Sequence, residues 1–201
     1  MSPAATLATV LLAYLPAAVS PGPNFVLIAH TAAAGTRRAA VAVALGVVAA
    51  GGLLAAVAVF GLGSVLARAP WLAAALKIAC GGYLAWLGIR LWLRAHAPEN
   101  APPAGHGNAF RQGVLSNLTN PKAAAFFGSV LTATLPPTEP TAVKAAAVVL
   151  IVAASAAWHL SVALLFSSPA TQRWYAHAKP ALNRVVGTIL VVLGVTLAMT
   201  P

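Results

Sequence analysis

Carboxylates are almost missing from this sequence, which has two Glu (Glu99 and Glu139) and no Asp among 201 residues. Both Glu fall in predicted loops, so no carboxylate pair is available for acid–base chemistry inside an apolar segment. Cysteine is reduced to Cys80, which excludes a disulfide framework and a Cys-based metal site. Cys80 reads as a small apolar helix residue. Charged residues of both signs make up only 7%, against about 25% in a soluble globular domain. What fills the chain instead is apolar: 60% hydrophobic residues and a mean hydropathy of +0.87. A soluble fold of this size leaves too much surface in water to hide that content. The expected solvent is a bilayer, and the expected class is an all-α membrane protein.

The formal net charge is +10. Nucleic acid is not the expected partner, because the basic residues stand singly or in pairs at the ends of apolar runs. Charge in that position sets membrane topology. Ala18-Val19-Ser20 has the small residues of a signal-peptide cleavage site, but no Lys or Arg precedes Arg37. The positive segment of a signal peptide is absent, so the first run is expected to be a retained membrane helix.

Six apolar runs are expected to form six transmembrane helices, at about 5–29, 39–67, 70–93, 111–134, 142–166 and 181–199. Lipid cannot satisfy backbone groups, and strand-like alternation is absent, so helix is the assignment. The runs form a single membrane domain over 1–201. A Pro-, Gly- and Asn-rich stretch at about 95–110 predicts a flexible loop between two halves of three helices. Three spans per half send the second half in from the opposite side, which predicts two inverted repeats. The first and fourth helices are both expected to break at Pro, at Pro21-Gly22-Pro23 and at Asn120-Pro121.

Orientation follows from Lys and Arg. Connections after the first, third and fifth helices hold Arg37, Arg38, Arg90, Arg94, Arg111, Arg173, Lys179 and Arg184, while the opposite connections hold only Arg68 and Lys144. The positive-inside rule then places both termini outside the cytoplasm. Several of the five Trp lie near span ends, as an aromatic belt requires.

Polar residues inside the runs carry the functional expectation. Pro21, Gly22, Pro23 and Asn24 interrupt the first helix and leave open carbonyls before the break and a fresh helix N-terminus after it. The same pattern also suits a plain kink. Ser116, Asn117, Thr119, Asn120, Pro121 and Lys122 place hydrogen-bonding groups and a cation in the fourth run. Asn117, Asn120 and Lys122 can bind the carboxylate and amino group of a small zwitterion; interfacial capping is the other reading. Counted at 1.5 Å per residue, both breaks fall toward the cytoplasmic half, whereas a strict inverted repeat would mirror them about the midplane. Either the first helix starts in the outer headgroup region or the two breaks line one inward-facing vestibule. Lys77 can snorkel or point inward. His159 reads as a hydrogen-bonded structural residue or, with Lys77, as part of a proton path that has no carboxylate to use. Glycines at 46, 51, 52, 61 and 63, at 81, 82 and 88, and at 187 and 194 predict close helix contacts.

Three segments together resemble the LysE/RhtB family of amino-acid exporters: Ser20-Pro21-Gly22-Pro23-Asn24 onward to 52, LKIACGGYLAWLGIRLW at 76–92, and FRQGVLSNLTNPKAAAFFGSVL at 110–131. The resemblance spans the chain in motif order and spacing. It implies a six-helix bacterial inner-membrane secondary transporter that expels amino acids such as threonine, homoserine, leucine or lysine by proton exchange. The positions it carries over are Pro21, Gly22, Pro23, Asn24, Lys77, Tyr83, Asn117, Asn120, Pro121 and Lys122. Cys80-Gly81-Gly82 departs mildly from the family's bulkier run.

The resulting expectation is export of small neutral or zwitterionic amino acids driven by a proton gradient, without a cofactor and with a homo-oligomer allowed. Without intramembrane acid nothing balances a dication. A metal-ion exporter of similar architecture is the alternative, although His96 and His106 are few and scattered for metal ligands. No enzyme is expected: catalytic motifs and a Walker loop are absent, and Ser161 points away from His159 on a helix. A scaffold subunit would not need broken helices.

Overall fold

The computed structural model describes residues 2–34, 36–62, 68–96, 108–135 and 138–199. Among them every regular element is helical. α1 (Pro3–Val19) starts on Ser2, whose hydroxyl accepts from the Ala5 amide, with Pro3 in the first turn. It stops where proline forbids its continuation. Ser20 is extended because the ring of Pro21 excludes the helical conformation in the residue before it. α2 (Pro23–Ala34) resumes after Gly22, bent from α1 by 53°.

α3 (Arg37–Ala56) is capped by Thr36 and runs on through a π-helical segment, Val57–Leu62. α4 spans Pro70–Leu93. α5 (Ala109–Leu118) begins on Asn108, whose carbonyl oxygen accepts two backbone amides. Thr119 and Asn120 interrupt it, and Pro121 opens the short α6 (Pro121–Ala125). A π-helical segment, Phe126–Val130, leads into α7 (Leu131–Thr134). α8 (Thr141–Leu165) and α9 (Pro169–Met199) complete the chain.

Four helices, within 37–61, 74–93, 141–165 and 169–199, are long and apolar enough to cross a membrane, and α1 with α2 makes a fifth if the bent pair is one span. The fourth apolar run breaks at Asn120-Pro121, where a break is expected, into pieces of 10 and 5 residues before the π-helical segment, and it is not among the helices long enough to cross. The last helix begins at Pro169, not near residue 181. Its early polar stretch, with Arg173, His177 and Lys179, hides it from a hydropathy reading. Arg173, Lys179 and Arg184 thus stand on a helix and not in a connection. Most of the expected central loop, 97–107, lies outside the described residues, as do 63–67 at the end of the second run.

Glycine pairs bring the long helices together. A methyl on Gly46 would collide with the Phe110 carbonyl and one on Gly113 with the Val43 carbonyl, so α3 and α5 touch backbone to backbone. Gly81 faces Gly194 and Gly88 faces Gly187 in the same way, which locks antiparallel α4 and α9. The expected packing role holds for Gly46, Gly81, Gly88, Gly187 and Gly194, whereas a Cβ on Gly61 or Gly82 would meet nothing within 4 Å. Two buried apolar clusters result. One gathers Tyr14, Phe126, Leu131, Ile151 and Leu190; the other gathers Phe25, Ile28, Val43, Val47 and Val162.

Candidate functional site

A cavity of about 40 Å³ sits between the two apolar clusters, at the level of both helix breaks. Tyr14 and Phe126 wall it on one side, Phe25 and Val47 on the other. Its polar lining is Ser20, Asn24, Asn117, Asn120, Lys122, Ser155 and His159. That volume holds about three waters, less than an amino acid.

Lys122 dominates the site. Its Nζ donates to the Ser20 carbonyl at 2.8 Å and to Ser20 Oγ at 2.6 Å. Ser20 Oγ donates onward to the Ala17 carbonyl at 3.1 Å. The ammonium therefore caps the C-terminal end of α1, where the helix dipole is negative. Gly22 makes the room: a Cβ there would stand 3.0 Å from Nζ. Lys122 is 9% exposed, and no carboxylate stands among the described lining residues. A buried cation is costly unless hydrogen-bonded, and the open carbonyl end left by Pro21 supplies the acceptors.

A second network crosses the same break. Ser116 Oγ donates to Asn24 Oδ1 at 2.8 Å, Asn24 Nδ2 donates to Asn117 Oδ1 at 2.9 Å, and Asn117 Nδ2 donates to the Val47 carbonyl at 2.8 Å. Gly51 leaves space for it, since a Cβ there would lie 3.2 Å from Asn117 Nδ2. Asn120 is held extended by the following Pro121, and its Oδ1 caps α6 by accepting the Lys122 amide at 3.0 Å.

His159 closes the far side. Its Nδ1 lies 2.9 Å from the Ser155 carbonyl and 3.1 Å from Ser155 Oγ. A carbonyl at that distance requires the proton on Nδ1, which leaves Nε2 with the free lone pair. Ser155 and Tyr14 both line the cavity. The serine near His159 is thus Ser155, one turn earlier, and not Ser161, whose hydroxyl bonds to the Ala157 carbonyl.

Asn24, Asn117, Asn120, Lys122 and His159 come together here. The prolines act indirectly: Pro21 is buried, Pro23 and Pro121 are exposed, and none of the three is among the lining residues, nor is Gly22. Lys77 and Tyr83 lie on α4 away from the cavity, with Tyr83 tilted against Trp86 at 5.6 Å. Sequence reasoning missed Ser20, Tyr14, Gly51 and Ser155 as site residues. For Ser155 the available signal was its i, i+4 spacing from His159 on an apolar helix.

The sequence profile of the LysE type translocator family matches residues 15–200. This chain belongs to the LysE type translocator family. The family match takes in both helix breaks and every residue of the cavity except Tyr14. Among relatives of this LysE-type chain, the threonine efflux protein of Escherichia coli K12 is 30% identical over 199 residues, 96% of this chain and 97% of its own. The threonine efflux protein of Salmonella typhimurium is 29% identical over the same length. The homoserine/homoserine lactone efflux protein of Salmonella typhimurium is 29% identical over 146 residues, 69% of each chain. No solved structure matches this LysE-type chain.

Proposed function

We propose that this protein exports small neutral amino acids of the threonine and homoserine class from the cytoplasm of a bacterium, through the cavity between the two helix breaks. The observation that carries the proposal is the contact of Lys122 Nζ with the Ser20 carbonyl. It places a cation without a carboxylate and a helix end without a cation-bearing ligand side by side. A zwitterion satisfies both. Its carboxylate takes Lys122, and its ammonium takes the Ser20 carbonyl end of α1 that Lys122 vacates. Asn24, Asn117 and Asn120 supply the remaining donors and acceptors, while Ser155, His159 and Tyr14 face the substrate side chain. A hydroxyl there finds both donors and acceptors. The relatives named for threonine and homoserine efflux agree with that chemistry.

The cavity must widen to admit substrate. The breaks at 20–22 and 119–120 are the hinges, because neither carries a continuous helical hydrogen-bond ladder. Six spans in two inverted three-helix repeats suit this motion. The packing favours such a repeat: the first run meets the fourth through Asn24 and Asn117, the second meets the fifth, and the third meets the sixth. Counting α5 through α7 as a broken span gives the sixth crossing. The Lys and Arg bias puts both termini outside the cytoplasm. Transport is secondary, with proton exchange through His159 or Lys122, since no carboxylate lines the described cavity.

Proteoliposomes loaded with radiolabelled threonine, homoserine, leucine and lysine test the reading. Efflux of threonine and homoserine accelerated by a pH gradient, with lysine excluded, is the expected result. Equal efflux from Lys122→Ala vesicles would remove the assigned site.

A further inference from the structure

The outer faces of α4 and α9 enclose a groove of about 340 Å³, lined by Ile89, Trp92, Leu93, Thr188, Val191 and Val192. No residue of α4 or α9 lines the cavity, so the two share no lining residue. The groove exists because Gly88 and Gly187 bring the two backbones into contact, so the larger side chains on either side diverge around the seam. Its floor is apolar; its mouth is not.

At the mouth, Arg184 stacks over the Trp92 ring with 5.6 Å from guanidinium carbon to ring centre. Its Nη2 lies 3.4 Å from His96 Nε2. Trp92 Nε1 donates to Thr188 Oγ1 at 3.0 Å, and Thr188 Oγ1 donates to the Arg184 carbonyl at 2.9 Å. These contacts hold the guanidinium by its face and one edge. A guanidinium has five N–H donors, so most remain available to a ligand. Arg90, stacked over Trp86 at 5.2 Å, and Arg94 at the end of α4 stand at the same end. The one described carboxylate, Glu139, is engaged elsewhere with Thr6.

We propose that this groove is a binding site for an anionic phospholipid. The phosphate sits against Arg184 and His96, and an acyl chain lies along Ile89, Val191 and Val192. Arg184 is opposite Ala95–His96, just past the last helical residue of α4, because Asn183 Nδ2 reaches the Ala95 carbonyl across the seam. That is where headgroups meet the end of a span. A zwitterionic lipid would bring a choline cation to an already cationic mouth, whereas an anionic headgroup meets matching charge. A second copy docking here about a two-fold axis would set these arginines against their own counterparts.

The test uses the full chain purified in mild detergent and offered equal dioleoyl phosphatidylglycerol and dioleoyl phosphatidylcholine, read by native mass spectrometry. The wild type should retain the phosphatidylglycerol preferentially. Arg184→Gln should lower that preference about fivefold, Arg184→Lys should restore part of it, and Arg173→Gln should leave it unchanged. Equal retention of both lipids by the wild type would overturn the proposal. So would an Arg184→Gln effect no larger than that of Arg173→Gln, or a lipid-free dimer as the main species. Because Arg184→Lys keeps the charge, a fold defect shared by both Arg184 variants is separated from a lipid effect by their melting temperatures.

Discussion

Lys122 and Ser20, 102 residues apart, are joined by two hydrogen bonds that tie the start of α6 to the end of α1. One partner is a backbone carbonyl, which no side-chain substitution removes. The bond therefore depends on the helix break as much as on either residue. It bridges the two helix breaks.

Removing the ammonium should impair transport strongly. Lys122→Ala is expected to lower threonine efflux at least about tenfold, because hydrogen bonds to a charged group are worth about 1.5–3 kcal/mol each. Ser20→Ala removes only the hydroxyl and should raise KM about three- to tenfold, with efflux persisting. Initial rates from proteoliposomes across substrate concentrations separate the two. Identical kinetics in both variants would show that Lys122 acts elsewhere.

Gly22→Ala should impair transport without unfolding the protein. The new methyl would stand 3.0 Å from Lys122 Nζ and 3.4 Å from Cε, and the lysine end is flexible enough to move aside. The displaced ammonium leaves the Ser20 carbonyl. Reduced efflux with an unchanged melting temperature is the expected pair of results.

Glycines at the backbone contacts behave differently. Gly46→Ala and Gly113→Ala push a methyl into a carbonyl of the facing helix. Each should cost about 1–3 kcal/mol through overpacking. Gly82→Ala has open space and should be close to neutral. Thermal unfolding in detergent checks the contrast, and a Gly82 variant as unstable as the other two would contradict the packing described.

His159 tests the proposed proton exchange. With Nδ1 donating to the Ser155 carbonyl, Nε2 is the nitrogen left as an acceptor. His159→Gln should keep substrate binding but lose the acceleration of efflux by a pH gradient. Counterflow at equal pH, which needs no net proton movement, should survive. Loss of both activities together would assign His159 to binding and not to coupling.

The helical class, the positions of the breaks and most of the polar cavity were legible in the sequence. Proline and asparagine in an apolar run are local signals with local physical causes. Lys77 and Tyr83 are not among the residues lining the cavity; a motif marks a position along a helix and not the direction in which it faces. Their helix packs mainly on α9, outside the cavity wall. The start of α9 was missed because polar helix and polar loop look alike to hydropathy.

Composition and proline placement determined by themselves that this chain is a helical membrane protein and that two of its apolar runs break at Pro. Backbone groups with no water to meet leave no other outcome. Only the tertiary structure decided that the two stops face each other, that Lys122 fills the open end of α1, and that Ser155 and Tyr14 share the same hollow. Those relations depend on long-range packing through glycine seams, where distance along the chain carries no information about distance in space.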